Sequence, residues 1–385
     1  MPLIRRPARG GVSCARPPGW QQPGGGGSAV SELAACTIVS KNYLPFARVL
    51  ARSFHDHHPD GRFFVLLVDR VDGYFDPAAE PFELIEVERL DNIPDLRAFL
   101  FKYTILELNT AVKPYLLEHL FAEHGVTKLL YLDPDILVMR QLEALDDLLG
   151  HAAIVLTPHL TAPYDDTKHP DELAILRSGS YNLGFLGLAD RPPVRDFLRW
   201  WQSRVYDGCV VRVEEGLFVD QKWIDLVPGM YDGVEIVRDS GYNVAYWNLH
   251  SRSVVLGDNP TCNGEPLYFF HFSGVEPQNL EAVSRHQDRF RLKDLGGLRE
   301  LFTRYRDLLF AEGYRETRPW PYAYAAFDDG TTIPGVARAL YLSLGSGSAR
   351  FGDPFAAAGD GSFLAWLNAP VRGHGPGYVL SLIHI

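Results

Sequence analysis

The sequence is poor in sulfur, with four cysteines (Cys14, Cys36, Cys209 and Cys262) and three methionines among 385 residues. No two cysteines form a Cys-x-x-Cys pair, so neither a zinc ribbon nor a disulfide framework is indicated, and a reducing cytoplasm is the expected setting. Positive charge is also short. Lys and Arg total 37 against 48 Asp and Glu, a formal net charge of -11, and no basic stripe runs along any segment, which argues against a nucleic-acid partner. Long apolar runs are missing too. None reaches the roughly 18–20 residues of a spanning helix, so any membrane contact is expected to be peripheral. The start of the chain holds Arg5, Arg6, Arg9, Arg16 and the run Gly24 to Gly27 but no apolar signal-peptide core, and residues 1–33 read as a disordered leader. The string Ser381-Leu382-Ile383-His384-Ile385 offers no cap or polar tail. A chain truncated there, from a protein with further C-terminal domains, is the expectation.

What is present centres on Lys128 to Val138. The apolar run Leu129 to Leu132 is short, continuous and followed by a breaker, as in a buried strand, and apolar residues resume at Ile136. Asp133 stands where the strand ends, Pro134 bars further pairing, and Asp135 returns to the same side because residues i and i+2 share a face in extended chain. Taken alone, Asp-x-Asp also suits a solvated turn. Between two core strands, however, two carboxylates repel each other unless a cation or strong donors neutralise them. A divalent metal is the simplest resident.

The rest of the chain alternates strands and helices. Cys36 to Val39, Phe63 to Val68 and Glu83 to Val87 read as strands, with an amphipathic helix carrying Phe46, Val49, Leu50 and Phe54 after the first, which is a βαβ rhythm. Residues 101–124 read as two helices, the second beginning near Thr110 with Pro114 in its first turn. Further strands are expected at Ala153 to Leu156, Tyr181 to Leu188, Tyr242 to Leu249 and Leu267 to Phe272, and helices at Val194 to Val205, Glu214 to Trp223 and Leu298 to Glu312. Asp165 to Arg177 reads as a polar segment. Gly184 and Gly187 inside a strand point to a close approach of ligand or backbone. His271, between Phe270 and Phe272, is either a core histidine or a third metal ligand.

In order along the chain, Ser40-Lys41-Asn42-Tyr43, Lys113, Tyr131-Leu132-Asp133-Pro134-Asp135, Tyr181-Asn182-x-Gly184, Asp220-Gln221 and His271-Phe272-Ser273-Gly274 resemble the GT-A fold glycosyltransferases. The closest resemblance is to retaining family 8, the group of bacterial lipooligosaccharide galactosyltransferases and glycogenin. It implies an α/β GT-A (Rossmann-like) mixed sheet flanked by helices over residues 34–295, with a C-terminal helical extension over 296–385. It also implies that Val39, Ser40, Asn42, Tyr43, Lys113, Asp133 and Gly274 meet a nucleotide-sugar donor. By the same likeness Asp133, Asp135 and His271 hold Mn²⁺ or Mg²⁺, while Asn182, Asp220 and Gln221 line the sugar pocket as catalytic residues. The acceptor is then a glycan, lipid-linked or protein hydroxyl, and the expected activity is metal-dependent hexosyl transfer from a UDP-sugar with retention.

One departure stands out. Where the family carries lysine-proline-tryptophan after its histidine-glycine motif, this chain has Val275-Glu276-Pro277-Gln278, so Arg285, His286 or Arg289 is expected to replace the phosphate grip. Tyr242, Tyr246 and Trp247 suit either a core cluster or stacking on the acceptor sugar. Two rival readings remain. A sugar nucleotidyltransferase needs a glycine-rich loop after the first strand, which Ser40 to Pro45 does not supply, and a non-catalytic nucleotide-sugar or glycan-binding module would not need the Asp133, Asp135 and His271 set.

Overall fold

A computed structural model describes residues 33–369; the leader read over residues 1–33 and the end beyond residue 369 lie, but for Leu33, outside the described residues. From the start come β1 (Leu33–Val39), α1 (Leu44–His57), β2 (Phe63–Leu67), β3 (Glu83–Glu86), α2 (Leu96–Lys102), α3 (Ile105–Ala111), α4 (Lys113–Glu123), β4 (Lys128–Leu132) and β5 (Ile136–Val138). There follow α5 (Glu143–Leu149), β6 (Ile154–Leu156), α6 (Glu172–Ser178), β7 (Phe185–Ala189), α7 (Pro192–Gly208), β8 (Val211–Arg212), β9 (Leu217–Phe218), α8 (Val227–Met230) and β10 (Val234–Ile236). The small strands β11 (Val254–Val255), β12 (Thr261–Cys262) and β13 (Glu265–Pro266) precede β14 (Phe269–His271), and the chain closes through α9 (Leu298–Ala311), α10 (Tyr314–Thr317), α11 (Gly335–Ser343) and α12 (Phe363–Asn368).

Seven strands form the central sheet in the order β10-β6-β7-β4-β1-β2-β3. All run parallel except β7, which is antiparallel to both β4 and β6. Helices flank this mixed sheet, as expected. Because both faces are covered, the central strands are continuous apolar runs, and every residue of β1 and β2 is buried. The one reversed strand has a consequence for the site. The segment entering β7 lies beside the carboxyl end of β4, with Leu132 paired to Phe185 and the Asp133 N–H donating to the Gly184 carbonyl at 2.8 Å. Outside the sheet, β14 pairs antiparallel with β5 and sets His271 opposite Ile136.

Several elements depart from the sequence reading, each for a local reason. Residues 96–123 form three helices, because Tyr103 is extended and Thr104 opens α3 with a capping box, its side chain accepting from the Glu107 N–H while Glu107 reaches back. Pro114 does sit in the first turn of the last of them. Residues 214–223 are not a helix: Gly216 takes φ 76° at the turn between β8 and β9, leaving only short 3₁₀ turns on either side. Tyr242 to Leu249 is not a strand either. Asn243 adopts φ 51°, and the Asn248 side chain takes up the Ala245 N–H and the Asn243 carbonyl, so only a bridge from Val244 to Phe270 survives. The expected strand from Tyr181 begins only at Phe185, since Asn182 spends its side chain on the Gly184 N–H. The polar segment from Asp165 ends in α6, capped by Asp171 on the Ala174 N–H. Helix α9 matches the expected apolar face, burying Leu298, Leu301, Phe302, Tyr305 and Leu309.

Candidate metal and donor site

Asp133 leaves the end of β4, Asp135 follows the Pro134 turn, and β14 brings His271 across from Ile136. Each offers a ligand atom, all within 4.8 Å of one another. The His271 Nε2 lies 2.9 Å from Asp135 Oδ1 and 3.7 Å from Asp133 Oδ2. The imidazole is buried, whereas both carboxylates stay partly exposed, Asp133 on the wall of the neighbouring cavity. Burial alone would lower the His271 pKa, but Asp135 and then Asp133 carry it above the ordinary value. Crowding by protein raises the Asp133 carboxyl in spite of Lys113 and His271, and Asp135 adds to the rise.

The surroundings orient these groups. Asn243 Nδ2 donates to Thr157 Oγ1 at 2.8 Å and to Asn182 Oδ1 at 3.0 Å, which leaves its Oδ1 to accept from His271 Nδ1 at 3.2 Å. A proton held on Nδ1 turns the Nε2 lone pair toward the carboxylates, the arrangement a metal-bound histidine needs. Tyr131 donates to Asp133 Oδ1 at 2.7 Å. Two carboxylates and one oriented imidazole make a mixed oxygen and nitrogen donor set of the kind that can hold a divalent cation. Gly184 completes the packing: a Cβ there would lie 2.3 Å from His271 Cε1, so the glycine marks a close approach of the His271 ring.

A cavity of about 720 Å³ opens beside the cluster, lined in part by Lys113, Asp133, Asn182, Asp220, Gln221 and His271. Lys113 is not free in it. Its Nζ pairs with Asp220 Oδ2 at 2.7 Å, donates to the Leu183 carbonyl at 3.0 Å and lies 4.1 Å from the Tyr131 ring centroid. Burial raises the Asp220 carboxyl, with Lys113 opposing. Gln221 Oε1 accepts from the Leu183 N–H at 3.0 Å and its Nε2 donates to the Ser178 carbonyl at 2.8 Å, so its amide is spent on shaping the wall. Asn182 is committed likewise to Gly184, Asn243 and His159.

The loop after β1 serves a second cavity of about 380 Å³, where Asn42 and Tyr43 face Phe46, Tyr314, Arg318 and Arg285. Val39 is buried in the sheet, and Ser40 donates to Asn42 Oδ1 at 2.6 Å. Gly274 takes φ 70°, and a Cβ would meet His286 at 2.4 Å, so the glycine folds Arg285 and His286 back against the loop; its carbonyl accepts the Arg285 N–H. Arg285 lines both cavities. Arg289 does not join them as an anion grip. Its guanidinium holds Asp166 at 2.8 and 2.9 Å and the Pro170 carbonyl at 2.9 Å while covering the Tyr164 ring. Tyr242 stacks on Tyr268 in the core, whereas Tyr246 and Trp247 line the larger cavity. Sequence reasoning gave no role to Asn243, to Tyr131 of the quoted motif, or to the pair Tyr314 and Arg318. An asparagine able to take positive φ inside an expected strand was the one readable signal among them.

No protein-family profile matches the sequence. YfnD of Bacillus subtilis (strain 168), described as uncharacterized, is 25% identical over 244 residues, spanning 62% of this chain and 76% of its own length. The solved galactosyltransferase LgtC, in complex with donor and acceptor sugar analogues, aligns over 72% of this chain and 95% of its own with a TM-score of 0.43 and 18% identity. The glycosyltransferase GlyE of Streptococcus pneumoniae TIGR4 aligns over 76% of this chain and 66% of its own, with a TM-score of 0.43 and 16% identity.

Proposed function

We propose that the protein is a metal-dependent glycosyltransferase that moves a hexose from a nucleotide-diphosphate sugar, most simply a UDP-sugar, to a glycan, lipid-linked or protein hydroxyl, with retention. The observation that carries this reading is the convergence of Asp133, Asp135 and His271 at the carboxyl end of β4, where open α/β sheets bind their ligands. The order of motifs along the chain, similar to that of family 8 enzymes, supports it.

In this reading the nucleotide end of the donor rests by Asn42 and Tyr43, and the sugar enters the larger cavity beside Asn182 and Asp220. Arg285, at the border of the two, replaces the absent lysine as the diphosphate grip, with His286 next to it. Mn²⁺ or Mg²⁺ held by Asp133, Asp135 and His271 would supply neutralisation of the charge that grows on the departing diphosphate. Asp220 is a fixed anion beside the sugar, kept in place by Lys113, while Gln221 and Asn182 position the wall. The acceptor hydroxyl approaches on the face the diphosphate leaves, and its proton passes to the departing phosphate oxygen. Such an exchange keeps the anomeric configuration and needs no enzyme nucleophile.

The test is nucleoside diphosphate release from a panel of UDP- and GDP-sugars, with Mn²⁺ or with EDTA, using purified protein in reducing cytoplasmic-type buffer. Release from one donor, only with metal, is expected. Silence across the panel together with metal-independent nucleotide-sugar binding would replace the enzyme with a binding module.

A further inference from the structure

The chain beyond α9 is fastened to the loop that follows β1. Gly313, at φ 91°, turns it into α10, whose Tyr314 and Thr317 are buried. The Tyr314 ring meets Phe46 edge-on with 5.9 Å between centroids, and the Thr317 hydroxyl donates to the Asn42 carbonyl at 3.3 Å. Further on, the Ala323 N–H donates to Asp69 Oδ1 at 2.9 Å, and the same oxygen accepts from Lys41 Nζ at 3.1 Å. Ties on either side of Arg318 thus hold its backbone beside Lys41 and Asn42. Its guanidinium donates to the Tyr314 hydroxyl and faces the smaller cavity together with Arg285.

We propose that Arg318 is a second phosphate contact beside Arg285, so that the chain beyond the strand-and-helix core shares in gripping the donor's diphosphate. The inference rests on the glycosyltransferase reading above. Charge argues for it first. The charged lining of this cavity is Arg285, Arg318 and Glu276, a net positive wall in a chain of formal net charge -11. Among the described residues neither guanidinium is ion-paired: Arg318 has the Tyr314 hydroxyl and Arg285 has His286. A guanidinium meets phosphate oxygens through two parallel N–H bonds, and a group of two or more negative charges satisfies both forks and outweighs Glu276. A nucleobase, being neutral, would leave both charges uncompensated. Position argues for it too. Crowding by protein is the main cause that raises the Tyr43 pKa; Asp135 adds to the rise, while Arg285 and Arg318 oppose it. One phenol is therefore within electrostatic reach of the candidate metal cluster and of both guanidiniums.

The experiment measures UDP and GDP binding by calorimetry in Mn²⁺ buffer, for the full chain and for its Arg318→Gln and Arg318→Lys variants, with uridine, guanosine and pyrophosphate as companion probes. Loss of a charge-assisted hydrogen bond should weaken binding of the preferred diphosphate about tenfold in Arg318→Gln. Arg318→Lys, which keeps the charge, should lose less, and the urea midpoint and nucleoside affinity should not change. Unchanged diphosphate affinity in Arg318→Gln overturns the proposal, as does undetectable binding of both diphosphates to the parent chain. An equal proportional loss for the nucleosides also overturns it, by making Arg318 a support of the Tyr314 wall. Pyrophosphate bound as tightly as the preferred nucleotide would overturn the donor assignment in favour of free phosphate. Metal-dependent donor hydrolysis by the parent chain, measured in parallel, separates the two readings. Hydrolysis with an unshifted Arg318→Gln affinity removes Arg318 alone, and a shifted affinity without hydrolysis removes the transferase but leaves Arg318 on the phosphates.

Discussion

Lys113 and Asp220 form an ion pair of 2.7 Å with both side chains 2% exposed, across a sequence separation that no local pattern encodes. Lys113 comes from the first turn of α4 and Asp220 from the turn after β9. Pairing two buried charges offsets their desolvation, but removing one partner leaves the other uncompensated and costs about 3–5 kcal/mol. Lys113→Met is therefore expected to lower unfolding stability by that order in urea titrations, and Lys113→Met/Asp220→Leu to recover much of the loss. Equal destabilisation by the single and double variants would show that the pair is not what holds these elements.

Gly184 marks how tightly His271 is packed. A Cβ at that position would also lie 2.7 Å from His271 Nδ1 and 2.8 Å from Asn182 Oδ1, so Gly184→Ala must displace His271 or the asparagine that supports it. Overpacking of this kind costs about 1–3 kcal/mol. Mn²⁺ affinity, followed by the paramagnetic resonance of the free ion, is expected to fall further than stability does. Unchanged metal affinity would detach His271 from the ligand set.

The candidate site was legible in the sequence where chemistry and local conformation coincide. Asp133-Pro134-Asp135 ends a strand because proline ends it, and Gly184 signals close approach because nothing else fits. Lys113 was expected from the family resemblance at the donor but not as Asp220's partner, since that contact is decided by sheet order and the reversal of β7. Asn243 was signalled only by its residue type, for another reason. Its neighbours Tyr242, Val244 and Tyr246 alternate as a strand does, and only side-chain hydrogen bonds from Asn248 pull the backbone out of the ladder. Gly216 similarly broke a helix that the surrounding glutamates and apolar residues had suggested.

Groups that touch the proposed metal ligands without joining them should tune affinity rather than abolish it. Tyr131→Phe removes the hydroxyl on Asp133 Oδ1, and Asn243→Ala removes the acceptor on His271 Nδ1. Losses of such partners typically cost 10–100-fold in metal affinity. Each variant should therefore need a Mn²⁺ concentration higher by about that factor for half-maximal donor hydrolysis, with its rate at saturating metal much less affected. A loss of rate that added Mn²⁺ cannot restore would place these residues in the reaction itself.

Acid sensitivity has an identifiable source away from the site. His58, at the end of α1, accepts the Leu142 N–H on Nε2 at 3.0 Å and stacks on Phe54. Burial, joined by the neighbouring His57 and His55 and opposed by Asp146 of α5, lowers its pKa from 6.5 to about 4. The unfolded chain takes up the proton first, near pH 6.5, whereas the folded protein must keep the ring neutral to accept that hydrogen bond. Stability from this group is therefore complete above pH 6.5 and is lost as the pH falls toward 4. His58→Gln offers an acceptor that never charges, so its urea midpoint should fall less steeply than the parent's across that window and should match or lie below the parent's at pH 8. Parallel pH profiles for the two proteins would mean that His58 is already protonated, or already exposed, in the native fold.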